Sequence, residues 1–352
     1  MVWAGECGST RSTRQETHGA GNAGTRPSKA SGRRARRPGC SRQAADRFFA
    51  TAGETSMRML TVCTLALLAL GPAVQAAVAG ELRIAAWNLE HLDDTEGQGC
   101  LDRDRDDYDA LARRIVELDA DIVAFQEVEN AAAARRVFPA PVWHIEMSTR
   151  PSGYRGRSCW DRPDAALGHL GTGFAIRRGI AYRRNGDLKA LGMADPFQRW
   201  GTDLTVREGG RELRLLSVHL KTGCWGTGQD RDGRRERTCR TLRAQVNHLK
   251  AWADARREEG AAFVILGDFN RRLALPGDWA WGVLSPPAAP LRLLTQGVAF
   301  RCDPRYPAFI DHLVAGGGAT VVPGSFREMP RRGPHPDHCA VYADFRLGPS
   351  PG

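Results

Sequence analysis

Six places along this chain set an acid, an amide or a histidine against an apolar run. Phe263-Val264-Ile265-Leu266 stops at Gly267 and presents Asp268 and Asn270. Leu82 to Trp87 runs into Asn88 and Glu90, Ile122 to Phe125 into Gln126 and Glu127, Leu215 to Val218 into His219, and Phe309-Ile310 into Asp311. Asp337 and His338 open the apolar stretch from Cys339 to Val341. A carboxylate or amide at the rim of an apolar core is costly to bury unless something compensates, and a metal ion or an anionic substrate is the usual reason. Any single case also reads as a turn, because Gly, Asp and Asn favour turns. The repetition weighs toward chemistry.

The elements that must carry these residues follow from periodicity. Four consecutive apolar residues bounded by a glycine fit a strand covered on both faces, and the period of two sends Asp268 and Asn270 to the same side. Tyr108, Leu111, Ile115 and Leu118 form one apolar stripe, which predicts a helix over Arg105–Leu118. Leu242, Val246, Leu249 and Trp252 do the same for a helix over Thr238–Ala255. Residues 203–220 read as a hairpin turning at Glu208-Gly209-Gly210-Arg211. Short strands are expected near Trp143–Met147, Gly173–Ile176 and Ile180–Tyr182, and final strands over Ile310–Val314 and His338–Phe345. The Pro-, Trp- and Gly-rich stretch from Pro276 to Pro307 receives no element. No repeat or low-complexity linker interrupts residues 80–352, which read as one domain.

The first part of the 352-residue chain reads differently. Residues 1–56 are rich in Arg, Gly, Ser and Thr without hydrophobic period, so no core can be built from them. We read them as an unstructured extension upstream of the true start. Residues 57–79 have the layout of a secretory signal peptide: Met57-Arg58-Met59, an apolar run from Leu60 to Leu70, then small residues to Ala79. That run is short for a membrane span, so the mature form is expected to lack one and to be secreted or periplasmic. After residue 79 there remain 39 basic and 36 acidic residues, a net of +3 against +10 for the whole chain. The high overall charge is therefore poor evidence for nucleic-acid binding by the mature domain. Six cysteines follow residue 79, an even number that behind an export signal implies disulfides. Cys224 with Cys239 is the preferred pair, since both bracket one loop, and closing it is worth about 3 kcal/mol in the chain-entropy model.

The segments Trp87-Asn88-Leu89-Glu90, Gln126-Glu127, Ser217-Val218-His219-Leu220, Gly267-Asp268-Phe269-Asn270, Ile310-Asp311-His312 and Asp337-His338-Cys339 stand in one order. In that order they resemble the endonuclease/exonuclease/phosphatase superfamily, which includes deoxyribonuclease I, AP endonucleases, bacterial sphingomyelinases and inositol polyphosphate phosphatases. The resemblance spans residues 82–345. It implies an α/β four-layer sandwich of two mixed β-sheets flanked by helices, as in deoxyribonuclease I. It also implies a divalent cation, usually Mg2+ with Mn2+ or Ca2+ as alternatives, and hydrolysis of phosphate esters. By resemblance Glu127 is the chief metal ligand, with Asn88 and Glu90 beside it and Asp337 as a second acidic contact. Asp268 orients or deprotonates the water, Asn270 donates to a phosphate oxygen, Asp311 fixes His338, and His219 meets the phosphate from the other side. Either Asp268 or the Asp311/His338 pair is the base. A looser match makes His169 and Arg177 substrate contacts. Pro336 and Ala340 depart from the family pattern, which commonly has Ser and often Pro there.

Substrate is less determined. Arginines at 155, 157, 231, 234, 235, 237, 331 and 332 favour an exported nuclease acting on DNA or RNA, but interleaved acids at 230, 232 and 236 fit a solvated surface equally well. The alternative substrate is a phospholipid or small phosphoester. A membrane-acting relative needs an exposed aromatic hairpin, for which Trp279–Leu284 is the candidate, and Arg301-Cys302-Asp303 faintly echoes the inositol phosphatase type. The protein is expected to be a monomer.

Overall fold

The computed structural model describes residues 80–151, 158–159, 161–226, 233–333 and 336–347. All lie in the second of two units, Gly71–Gly352, so the expected extension (1–56) and signal peptide (57–79) fall outside the described residues. So do Arg155, Arg157, Arg231 and the side chains of Arg234 and Arg235.

The first half of the domain comprises β1 (Gly80–Leu92), α1 (Arg105–Leu118), β2 (Ile122–Val128), α2 (Ala131–Val137), β3 (Trp143–Met147), β4 (Gly171–Arg177) and β5 (Ala181–Arg184). After a 3-10 turn at Lys189–Gly192 come β6 (Thr202–Glu208), β7 (Arg211–His219), α3 (Gly233–Glu258), β8 (Phe263–Asp268) and α4 (Trp279–Leu284). The chain closes with β9 (Arg292–Leu293), β10 (Asp311–Gly316), β11 (Thr320–Val321), β12 (Arg327–Glu328) and β13 (Val341–Leu347). One sheet has the order β11-β13-β1-β2-β4-β3, with β12 beside β13; the other runs β5-β6-β7-β8-β10-β9. Each is mixed: β1 with β2 and β7 with β8 are parallel, and the remaining pairs are antiparallel.

Alternation along the strands explains the layering. Leu82, Ile84 and Ala86 of β1 meet Val264 and Leu266 of β8 in a core between the sheets, with Leu215, Leu313 and Phe345. The intervening Ala85, Trp87 and Leu89 point the other way, against Tyr108, Leu111 and Ile115 of α1. Phe263 and Ile265 of β8 likewise turn outward to Leu242, Val246 and Leu249 of α3. Strands buried on both faces give near-continuous apolar runs, and the result is the four-layer α/β sandwich. Each such buried side chain is worth about 1.5–3 kcal/mol. Helix α1 starts on a capping box, in which Asp104 accepts from the Asp107 N–H at 3.0 Å and the Asp107 side chain accepts from the Asp104 N–H at 3.1 Å.

Several boundaries differ from those the sequence predicts. Helix α3 extends beyond the apolar stripe at both ends, into segments whose charged residues carry no period. The last strand begins at Val341, which leaves His338 on the preceding loop. The Pro276–Pro307 stretch contains α4 and β9. The six cysteines after residue 79 form Cys100–Cys159, Cys224–Cys239 and Cys302–Cys339.

His312, beside the active-site candidates on β10, is a core residue. Its Nε2–H donates to the Arg271 carbonyl at 2.8 Å, and its Nδ1 lies 2.6 Å from Thr295 Oγ1. Burial pushes the imidazole down to about 4. The unfolded chain takes up a proton near pH 6.5 while the folded chain refuses it until about pH 4, so stability falls as pH drops across that window. The expected loss is about 3 kcal/mol between pH 7 and 4. Urea unfolding of His312→Gln beside the wild type checks it: the variant should show a shallower acid slope, and identical slopes refute the assignment.

Candidate active site

Strand direction gathers the functional residues. In the parallel pairs β1/β2 and β7/β8 the C-terminal ends share one edge, with Asn88 opposite Gln126 and His219 opposite Asp268. Strand β10 is antiparallel to β8, so its first residue, Asp311, registers with Asp268. Strand β13 is antiparallel to β1, which brings the loop carrying Asp337 and His338 to the same rim. Space is tight here: a Cβ on Gly267 would lie 2.2 Å from the Val218 carbonyl oxygen of the neighbouring strand and 2.9 Å from Gln126 Nε2 of the facing sheet.

A connected polar network results. The Asn88 Nδ2 group donates to Glu127 Oε1 and to Asp268 Oδ2, each at 3.2 Å. Asn88 Oδ1 accepts from the Glu90 N–H at 2.9 Å, and Glu90 in turn accepts from the Asp337 N–H at 2.8 Å. His219 Nε2 lies 3.6 Å from Glu127 Oε1 and 3.4 Å from Asp268 Oδ2. Asn270 holds Asp268 twice, through its backbone N–H at 2.7 Å and its side-chain amide at 3.1 Å; the amide also donates to the Leu220 carbonyl at 3.2 Å. His338 Nδ1 meets Asp311 Oδ2 at 2.7 Å, and its Nε2 faces Asp268 at 3.9 Å and Asp337 at 3.8 Å. Asn88, His219, Asp268, Asn270 and Asp311 are buried, whereas Asp337 is exposed.

The environment separates the charges. Burial lifts the Asp268 carboxyl to about 7, with the Asp311 charge adding to it against His338. Burial also opposes the charge on Glu127, but His91, the Asn88 amide, His338 and Arg199 outweigh it and hold that carboxyl below its ordinary range. His219 is pushed well below its ordinary value by burial, with Arg199 next, and is neutral. Burial works against the His338 charge, yet Asp311 and Asp268 keep that imidazole well above its ordinary value. Two carboxylates and two histidines thus divide into a near-neutral acid, an anion, a neutral ring and a cation.

Backbone strain marks the same rim. Glu90, Glu127 and Asn270 adopt left-handed φ of 46°, 61° and 50°. Such residues cost about 1–3 kcal/mol each and cluster where function over-determines the backbone. His219 Nδ1, Asp311 Oδ1 and His91 Nδ1 are buried with no hydrogen-bond partner among the described residues. Asp268, Asp311 and His338 also offer one ligand atom each within 4.8 Å of one another, a group able to hold a cation.

Sequence-predicted residues Asn88, Glu90, Glu127, His219, Asp268, Asn270, Asp311, Asp337 and His338 are all brought together. Arg177 is not. Strand β4 runs antiparallel to β2 with Ile176 opposite Ile122, which puts Arg177 at the far end, where it donates to Ala120 O at 2.9 Å and lies over Trp143. His169 stands one wall away from the network: its N–H donates to Glu129, its carbonyl accepts from Arg150, and burial, with the Arg150 charge, lowers its imidazole to about 4. Asn270 spends its amide on Asp268 and Leu220, so donating to a phosphate requires exchanging one of those bonds. Arg331 and Arg332 are paired with Asp303 and Glu117.

Sequence reasoning missed His91 and Arg199. His91 donates its N–H to Glu127 Oε2 at 3.1 Å and sets its ring 3.6 Å away; the left-handed turn at 90–91 defeats the strand alternation that would point it elsewhere. Arg199 is buried, donates to Leu220 O at 2.9 Å, and acts electrostatically on Glu127 and Asp268. In a chain with 50 Lys and Arg, nothing local singles it out.

Comparison with known proteins bears on this arrangement. Residues 85–331 match the Endonuclease/Exonuclease/phosphatase family. A curated deoxyribonuclease of Thioalkalivibrio sp. (strain K90mix) is 28% identical over 263 residues, covering 73% of this chain and 64% of that protein. The chain thus spans under two thirds of that relative's length. Among solved structures, truncated Caenorhabditis elegans TDP2 superposes with a TM-score of 0.51 at 18% identity, over 76% of this chain and 98% of that one. An endonuclease/exonuclease/phosphatase from Bacteroides vulgatus gives 0.51 at 15% identity, over 76% and 98%. At such identities these two likenesses concern the fold. The family match, the four-layer sandwich and the order of the motifs agree: the chain belongs to the endonuclease/exonuclease/phosphatase family, hydrolases that act on phosphate esters.

Proposed function

We propose that the protein is a divalent-cation-dependent phosphodiesterase, an exported nuclease that cleaves DNA or RNA by in-line attack of an activated water. The observation that carries this is the meeting of Glu127, Asp268 and Asp311 with one neutral and one charged imidazole. The name of the curated relative points the same way. So does a cleft of about 600 Å³ beside Asn270, Asp311 and His338, on which Trp225 and Tyr306 are 45% and 53% exposed. Exposed aromatic faces beside a phosphate-handling site suit stacked bases.

The donor set fits a hard cation. Glu127, Glu90, Asn88 and Asp337 supply carboxylate and amide oxygens, the ligands that Mg2+, Mn2+ and Ca2+ take. The bound cation would supply positive charge to the phosphoryl oxygens. The chain's own groups do the rest. Asp268, with a carboxyl near 7, is matched to accept a proton from water at neutral pH, whereas charged His338 is not. Asn270 fixes the Asp268 carboxylate, and Asp311 orients His338 so that Nε2–H faces Asp268 and Asp337 beside the cleft. His219 closes the opposite side as a neutral ring.

Three disulfides fit an oxidising compartment and support the proposed leader at 57–79 and the catalytic domain at 80–352. No helix among the described residues is long and apolar enough to cross a membrane. The lipid reading loses its main support, because Trp279–Leu284 forms α4 with Ala280 and Leu284 buried, and Trp279 lies under Arg243 and Arg271. The test is supercoiled plasmid with Mg2+, with and without chelator. Nicking should occur with the cation and cease on chelation. A folded sample that leaves plasmid and RNA intact while hydrolysing a phospholipid or a soluble phosphoester overturns the nuclease reading.

A further inference from the structure

We propose that the cavity between Arg150, His169, Arg199 and Lys221 is a second phosphate site, which seats a phosphate of the substrate strand next to the one being cleaved. The inference rests on the nuclease reading for the identity of its occupant. The cavity measures about 200 Å³ and is also lined by Gln198 and Thr222. Arg150 and Arg199 are each only 8% exposed, yet neither forms an ion pair among the described residues. Their guanidinium groups donate to backbone carbonyls: Arg150 to Pro196 at 2.7 Å and to His169, Arg199 to Leu220 at 2.9 Å. Among the described residues the buried Nε–H of each has no acceptor.

Among the described residues neither buried guanidinium has a carboxylate at ion-pair distance; Arg199 feels Glu127 and Asp268, and Arg150 feels Glu129 and Asp195, only from further away, and a bound anion would supply the missing close partner. Burial and the Arg199 charge push Arg150 down to about 10, and His169 is neutral, so the cations here repel one another. The guanidinium fork matches the tetrahedral oxyanion of phosphate, and a volume of this size is below that of ordinary small-molecule pockets. Position supplies the link to the substrate. Leu220 O accepts from both Arg199 and Asn270, so the cavity shares one backbone carbonyl with the active-site network.

The experiment compares wild type with Arg150→Gln on two substrates: an oligonucleotide, and bis(p-nitrophenyl) phosphate, which carries one phosphate only. Arg150→Gln should lower kcat/KM on the oligonucleotide about tenfold through KM, and leave the single-phosphate substrate within about twofold. The salt dependence of oligonucleotide binding should flatten, its log–log slope losing about 0.7–0.9. Equal losses on both substrates, or none on the oligonucleotide, overturn the proposal. Calorimetric titration of chelator-treated protein with inorganic phosphate separates the two readings. Binding that Arg150→Gln abolishes, in a protein that cleaves no nucleic acid, establishes the anion site and overturns its strand-phosphate occupant; phosphate binding unaffected by the substitution overturns the site. If Arg150→Gln does not fold, Lys221→Gln replaces it under the same criteria.

Discussion

Asp268→Asn is expected to yield a folded protein whose turnover falls at least 10³-fold, roughly the upper range for a positioned acid–base group. The substitution keeps the shape and an oxygen to accept from the Asn270 N–H, now at 2.7 Å. It removes a carboxyl that burial has already lifted to about 7. Losing that charge relieves desolvation, which offsets the acceptor that the Asn88 and Asn270 amides lose at Oδ2, so the melting temperature should change little while activity collapses. Collapse of activity at a nearly constant melting temperature separates a catalytic role from a structural one. Near-wild-type kcat in purified Asp268→Asn removes Asp268 from the chemistry and with it the assignment of the base.

A loss of about 10²–10⁴-fold is expected for His338→Gln, and the more informative partner is Asp311→Asn. The Asp311 carboxylate lies 2.7 Å from His338 Nδ1 and is the leading contribution that keeps the ring charged against burial. Without it the imidazole gives up its proton at lower pH. The alkaline limb of the kcat profile should therefore move toward acid in Asp311→Asn, at otherwise reduced rate, whereas a merely structural pair would lower the rate without moving the limb. A pH–rate series on the wild type and both variants measures this, and an unmoved limb in Asp311→Asn refutes the charge-holding role.

Residues on strand ends were readable from the sequence because the period of two fixes both the face and the rim they occupy. Asn88, Glu127, His219 and Asp268 follow from runs of four to six residues in strands covered on both sides, and Asp311 from the shorter Phe309-Ile310 run that leads into β10. Residues whose place depends on long-range register were not readable. Arg177 fits a local pattern, but the antiparallel pairing of β4 with β2 carries it away from the rim. His91 requires the left-handed turn at Glu90, and Arg199 requires the 3-10 turn and β6 to close over the Leu220 carbonyl. The stretch from Pro276 to Pro307 showed no period because its helix has only six residues, held by the Asp278 cap at 3.0 Å from the N–H groups of Ala280 and Trp281.

The left-handed backbone at Glu90, Glu127 and Asn270 sets stability against selection for activity. Glycine is at ease in that conformation, so on backbone grounds a screen for heat resistance alone would drift toward Gly at all three positions. Each such gain would delete a carboxylate or amide that the rim uses. Thermostable variants worth keeping should therefore come from elsewhere in the sandwich, and a family of sequences that had lost the reaction would betray itself first by glycines at these three places.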